Sequence, residues 1–266
     1  MDWFDTGDTV LRYAYRGGKG PCLVLIHEMG GSLESWDLVL PALPRDSAVL
    51  LAEMRGMGIS QRLRDVPSFA QIAGDILALL DHLDLRDPVI VAGCAVGGGI
   101  ALQLALDAPS RVAAIVPLDP AVDLSPVGTA AAPGLARLMA EQGMRAVEAA
   151  LLERTYPSRY RERDPDHFSR VRGRWYANDP VSFGNFFLML AQTDLKPRLP
   201  EITCPVHFGA GSHDTLRPPE YVQALAGLIP HSTLTPLDAG HHVADHAPGE
   251  VAALLSEVRN SLVSGR

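Results

Sequence analysis

Residues 91–99 read VAGCAVGGG. Gly93 and Gly97 stand two residues either side of position 95, the frame Gly-x-nucleophile-x-Gly of a nucleophile elbow, with a further glycine at 98. An apolar run, PVIVAG, precedes the turn and GGGIALQLAL follows it, the strand and helix that give such a frame meaning. The spacing is neither GxGxxG nor GxxxxGK, which sets it apart from phosphate-binding loops. The residue in the attacking place is Ala95, which has no atom to attack with. Cys94 lies one position before the apex and reads as a small buried hydrophobe. Two other stretches carry the remaining chemistry. Asp214 in GAGSHDTLRPPE (209–220) follows an apolar run and precedes a proline able to open a helix. His241 in LDAGHHVADHAP (237–248) follows the short run STLTPL. The chain order is therefore apex, acid, base. An acid that orients an imidazole, and an imidazole that removes a proton, are parts of acyl-transfer chemistry. Loss of the nucleophile from such a triad lowers turnover roughly a millionfold. Ala95 thus either replaces a serine or belongs to an enzyme that forms no covalent intermediate. In the second case His241, held by Asp214, would activate water as a general base.

Positioning these residues requires a particular scaffold. CLVLI (22–26), AVLLA (48–52), PVIVA (88–92), VAAIVPL (112–118) and PVHFGA (205–210) are short, wholly apolar runs, as expected of strands covered on both faces. Residues 13–15 read as an earlier strand and 232–237 as a later one. Between them residues 69–83 place apolar side chains at 69, 72, 73, 76, 77, 80 and 83, close to a 3.6-residue period. Residues 97–106, 219–228 and 249–262 also read as helices. Alternating strands and helices predict an α/β fold with a mostly parallel central sheet flanked by helices. The alternation stops between about 119 and 200, where helical patterns at 135–154, 166–177 and 180–190 predict a helical cap inserted after the sixth strand. The expected division is a core of residues 1–119 and 200–266 and a cap of 120–199, with TAAAPG (129–134) as the nearest candidate for a flexible junction.

Composition narrows the partners. A net charge of −8, with both signs dispersed, leaves no basic stripe for nucleic acid and argues against anionic membranes. The three cysteines, Cys22, Cys94 and Cys204, form neither a disulfide framework nor a CxxC metal pair. The N-terminus MDWFDTGDTV has acids where a secretion signal has bases, so the expected location is the cytoplasm. Residues 88–106 carry no charge, but the glycines in their middle fit a buried strand, turn and helix better than a membrane span. The expected partner is a small-molecule substrate, with a homodimer left open. The run His241, His242, Asp245, His246 could suggest a metal, yet His241 has the catalytic reading and the others read as the start of a surface helix. His213 reads as a loop residue and Trp36 as packing.

The order apex, acid, base, with these flanks, resembles that of the α/β-hydrolase fold superfamily. Within it the chain is similar to the 3-oxoadipate enol-lactonase-like group, over nearly its whole length. LIHEMGGSLESWDLVLPAL (25–43) resembles that group's oxyanion loop, AEMRGMGIS (52–60) its Asp-x-Arg-Gly-His-Gly-x-Ser segment, and residues 174–206 the exit from its cap. The resemblance implies that Ala95, Asp214 and His241 hold the catalytic positions, and that the N–H groups of Met29 and Val96 form the oxyanion hole. No cofactor is implied. The implied activity is hydrolysis of a small ester, lactone or related acyl compound, by Ser–His–Asp chemistry if Ala95 replaces a serine, or by His–Asp-activated water if it does not. Relatives resembling aminoacrylate hydrolases share the alanine. The group's His-Gly is here His27-Glu28, its Asp is Glu53 and its second His is Met57. Glu28 could act as acid/base or anchor substrate, or could be a loop residue paired with Arg55. His27, Trp175 and Phe186 are further candidates for the substrate wall, within an aromatic cluster of Trp175, Tyr176, Phe183, Phe186 and Phe187. Two alternatives stay open: a cofactor-free lyase, decarboxylase or dioxygenase, and a non-catalytic ligand-binding member of the fold.

Overall fold

The computed structural model describes residues 1–264. Eight strands form one sheet: β1 (Asp2–Asp5), β2 (Val10–Arg16), β3 (Lys19–Ile26), β4 (Ser47–Ala52), β5 (Val89–Cys94), β6 (Val112–Leu118), β7 (Val206–Gly211) and β8 (Ser232–Leu237). Their spatial order is β1-β2-β4-β3-β5-β6-β7-β8. β1 and β2 pair antiparallel, and β2 meets β4 antiparallel; every later pairing is parallel. The apolar runs have their explanation in the pleat. Leu23, Leu25, Val49, Leu51, Ile90 and Ala92 face one core, while Val24, Ile26, Leu50 and Val91 face the other. A strand buried on both faces has no polar position to alternate with.

The helices are α1 (Phe69–His82), α2 (Val96–Asp107), α3 (Pro126–Gln142), α4 (Leu152–Thr155), α5 (Ser158–Arg163), α6 (Pro165–Ala177), α7 (Pro180–Ala191), α8 (Pro219–Ala226), α9 (Val243–His246) and α10 (Pro248–Ser264). α1 begins at a capping box: Ser68 Oγ accepts the Gln71 N–H, and Gln71 Oε1 accepts the Ser68 N–H. It buries Phe69, Ile72, Ala73, Ile76, Leu79 and Leu80 on the same core as α2 and α8. α10 covers the opposite face through Val251, Leu254, Leu255 and Val258. No described helix is long and apolar enough to cross a membrane.

Between β6 and β7 lie α3 to α7, as the missing strand pattern predicts, but their boundaries differ from the sequence reading. TAAAPG is no junction: it lies inside α3, which Ser125 caps by accepting the Gly128 N–H, with Pro126 in the first turn. Pro133 is carried within that helix. The helix expected over 135–154 breaks at Gly143, whose φ of +74° favours glycine, and a 3-10 turn (Met144–Val147) separates α3 from α4. β1 is an addition that the sequence pattern did not reveal.

Candidate functional site

The sharp bend after β5 is set by close backbone approaches. A Cβ on Gly93 would lie 2.2 Å from the Gly97 carbonyl carbon, and one on Gly97 would lie 2.4 Å from the Ile26 carbonyl oxygen. Only hydrogen fits at either position. Ala95, at the apex, has φ +49° and ψ −112°. A side-chain-bearing residue in such a conformation stores about 1–3 kcal/mol of strain. Backbone bonds hold it there: its N–H donates to Leu118 O (2.9 Å), and its carbonyl accepts the Ala121 N–H (2.9 Å) and the Gly99 N–H (3.1 Å). α2 begins at the next residue, so the Val96 N–H is one of the unpaired first-turn donors. Among the described residues neither the Val96 N–H nor the Met29 N–H has an acceptor.

His241 and Asp214 meet. The imidazole Nδ1 lies 2.7 Å from Asp214 Oδ2. Asp214 Oδ1 accepts the N–H groups of Leu216 (2.7 Å) and Arg217 (3.0 Å), which fix the carboxylate's orientation. Burial pushes the Asp214 carboxyl up, but the facing imidazole and those two N–H groups outweigh it and hold it well below the usual carboxylate range. A charged acceptor at Nδ1 keeps the proton there, leaving the Nε2 lone pair of His241 for another proton. Behind Asp214, Asp119 is fully buried at the end of β6 and accepts the Gly211 N–H. Burial and then the charge of Asp214 push the Asp119 carboxyl well above its ordinary value.

Ala95, Val96, Met29, Glu28 and His241 share the lining of one cavity of about 550 Å³. Its walls come from the loops after β3, β5, β6, β7 and β8, and from α3, α4, α6 and α7. The site thus lies outside the carboxyl ends of the strands, where parallel sheets place ligands. The helices also fix the loop after β3: Asn178 Nδ2 donates to Gly30 O at 2.9 Å.

Several expected side chains stand elsewhere. His27 does not line the cavity. Its Nε2 accepts the Met54 N–H (3.1 Å), so its Nδ1 donates to Glu28 O (2.7 Å), tying the loop to the segment after β4. Phe186 is fully buried in the core, whereas Trp175, Phe183 and Phe187 reach the cavity. Glu28 is not paired with Arg55, which binds Asp75 and Asp8 instead. Glu28 Oε1 accepts from Ser35 Oγ at 2.9 Å and lies 3.8 Å from His242 Nδ1. His242 and His246 are not surface residues: they are 8% and 2% exposed. His246 stacks on Tyr160, and His242 Nε2 meets Thr155 Oγ1 at 3.1 Å and lines the cavity. Burial lowers both imidazoles from their ordinary value. Arg154 and Arg217 also line the cavity and were not singled out from the sequence. The place of Arg217, three residues after Asp214, was the available clue.

The chain is similar to known proteins over most of its length. The family described as the alpha/beta hydrolase fold matches residues 21–248. The chain is 26% identical over 242 residues to 3-oxoadipate enol-lactonase 2 of Acinetobacter baylyi, covering 90% of this chain and 89% of that one. It is 30% identical over 247 residues to a protein of Caulobacter vibrioides named a putative carbamate hydrolase RutD, covering 87% and 88%. Among solved structures, a hydrolase from Pseudomonas aeruginosa PA01 superposes with a TM-score of 0.90 at 27% identity over 97% of each chain.

Proposed function

Because the chain belongs to the α/β-hydrolase fold family and is a hydrolase of that fold, we propose that it cleaves an activated ester, lactone or related acyl bond with water deprotonated by His241. The observation that carries this reading is the 2.7 Å contact of His241 with Asp214, in a cavity whose elbow apex is Ala95. His241 Nε2 takes a proton from water as the water oxygen bonds to the substrate carbonyl carbon. The carbonyl electron pair moves to its oxygen, which the N–H groups of Met29 and Val96 receive. When the tetrahedral adduct collapses, the leaving oxygen departs with the bonding pair and takes the proton from the imidazolium. Asp214 stabilises that imidazolium while it lasts.

Each part has a magnitude. A positioned general base supplies about 10²–10⁴ in rate. One oxyanion donor supplies about 3 kcal/mol. The covalent step of a serine enzyme is missing, so the substrate must be reactive itself, as an enol or aryl ester is. Ala95 takes no part in bond making; its strained apex aims the Val96 N–H. Glu28 lines the cavity with, among the described residues, only Ser35 as a close donor, and we assign it a second acid/base or water-holding role. Residues 1–119 and 200–266 form the catalytic core and 120–199 the cap in this reading. Three buried, free cysteines fit a cytoplasmic setting.

The test is turnover of enol-lactones and p-nitrophenyl esters by the wild-type chain and by His241→Asn. Loss of at least a hundredfold in kcat/KM with an unchanged melting curve is expected. Equal turnover by the two proteins would remove His241 from the chemistry.

A further inference from the structure

Two guanidinium groups line the cavity, and the hydrolysis described above uses neither. Arg217 is buried, 8% exposed. Its Nη2 donates to Asp123 O at 2.7 Å, and the group lies 5.2 Å from the centre of the Tyr221 ring. Among the described residues no carboxylate oxygen stands within ion-pair distance of it; its Nε has no partner, and its Nη1 has no acceptor. Arg154, exposed on α4, also has no ion-pair partner among the described residues. Among the described residues the only carboxylate in the lining is Glu28, on the loop after β3. Within the lining two guanidinium groups thus face one carboxylate, while the Asp214 carboxylate behind the wall is already engaged by His241 and two backbone N–H groups. The Asp123 carboxylate is near enough to feel the Arg217 charge but does not contact it, so the unbonded guanidinium nitrogens remain poorly solvated, and an anionic ligand group would restore what burial removed.

The rest of the wall is different in kind. Leu124, Leu135, Leu151, Phe187 and Leu190 make much of it apolar. A volume of about 550 Å³ lies within the range of about 300–1,000 Å³ usual for small-molecule sites. Such a space accommodates far more than a reacting carbonyl group and its immediate neighbours, and its walls favour hydrocarbon. We propose that the substrate is an amphipathic carboxylate. Its apolar acyl or aryl body fills the space against α3 and α7, and its carboxylate pairs with the Arg217 guanidinium. Arg154 adds positive potential at the same cavity. Glu28 repels the carboxylate and so opposes the reversed binding mode. This assignment rests on the hydrolytic reading for its kinetic test but not for its binding test.

The kinetic probes are the p-nitrophenyl monoester of suberic acid and the same compound with its free carboxylate methylated. A charged hydrogen-bonded partner is worth about ten- to a hundredfold in selectivity. The wild-type ratio of kcat/KM, anionic over neutral, is expected in that range, and it should fall toward one in Arg217→Met, with Arg217→Lys intermediate. A purely structural role for Arg217 would lower both probes together and leave the ratio alone. The second readout is calorimetric binding of suberanilic acid against its neutral amide. Preference for the acid, reduced in Arg217→Met, supports the carboxylate site even if neither ester turns over, an outcome that would remove the hydrolytic reading instead. Turnover without preference for the anion, a ratio unchanged by Arg217→Met, or equal or absent binding of acid and amide overturns the proposal.

Discussion

Replacing Asp214 with asparagine changes one atom and should disable the base. Asp214 Oδ1 accepts two backbone N–H groups, from Leu216 and Arg217, so the asparagine carbonyl oxygen must remain there. The new NH₂ then occupies the Oδ2 position, 2.7 Å from His241 Nδ1. An amide NH₂ can only donate, so Nδ1 must accept, and the ring proton moves to Nε2. The lone pair that would deprotonate water is lost. The negative charge that stabilises the imidazolium is lost as well, worth about 4 kcal/mol for unit charges ~4 Å apart at an effective dielectric of about 20. Either argument gives a loss of about a thousandfold, within the 10²–10⁴ range of general-base catalysis. The assay is kcat/KM for Asp214→Asn and wild type on one activated aryl ester from pH 6 to 9, with melting curves alongside. Stability should change little, because both backbone bonds survive. A variant retaining more than about a third of wild-type kcat/KM, properly folded, would refute the tautomer argument.

Glu28→Gln should lower kcat about tenfold or more with little change in Tm, since glutamine can still accept from Ser35; unchanged turnover in steady-state assays would end the role assigned to Glu28. Gly97→Ala should destabilise the fold by about 3 kcal/mol or more in urea titrations, because its Cβ would lie 2.4 Å and 2.5 Å from the backbone carbonyl oxygens of Ile26 and His27; wild-type stability would mean that the elbow is looser than described. Burial holds His242 and His246 below the ordinary imidazole value, so as pH falls through about 6.5 the unfolded chain takes up protons that the folded chain refuses. Their stability contribution, complete above about pH 6.5, should fall by about 1–3 kcal/mol per unit as pH drops toward 5, and a flat urea midpoint over that window would contradict their burial.

The central strands were legible because burial on both faces leaves an unbroken apolar run. β1 was not, since only Phe4 of its four residues is even partly covered, and an edge strand of that kind has no pattern to read. The ends of α3 escaped for a different reason: proline and glycine at 133 and 134 suggest a break, yet Ser125 and Pro126 start a helix that carries both. At the site, Ala95, Asp214 and His241 could be picked out because local turn chemistry and flanking strands mark them. His242 and His246 could not, because α9 has only four residues and their burial depends on Tyr156 and Tyr160, distant in sequence. Phe186 and Phe187 illustrate the same limit. Adjacent positions on one helix face different ways, and the sequence alone does not say which meets the cavity.

The most direct measurement is the intact mass of the protein, rapidly quenched during turnover of an activated aryl ester in ¹⁸O-labelled water, with Ala95→Ser as the comparison. The expected result is an unmodified wild-type chain at every time point and one solvent oxygen in each acid product, while Ala95→Ser gains an acyl group. An acyl adduct on the wild-type chain that forms and decays at the turnover rate would contradict direct attack by water.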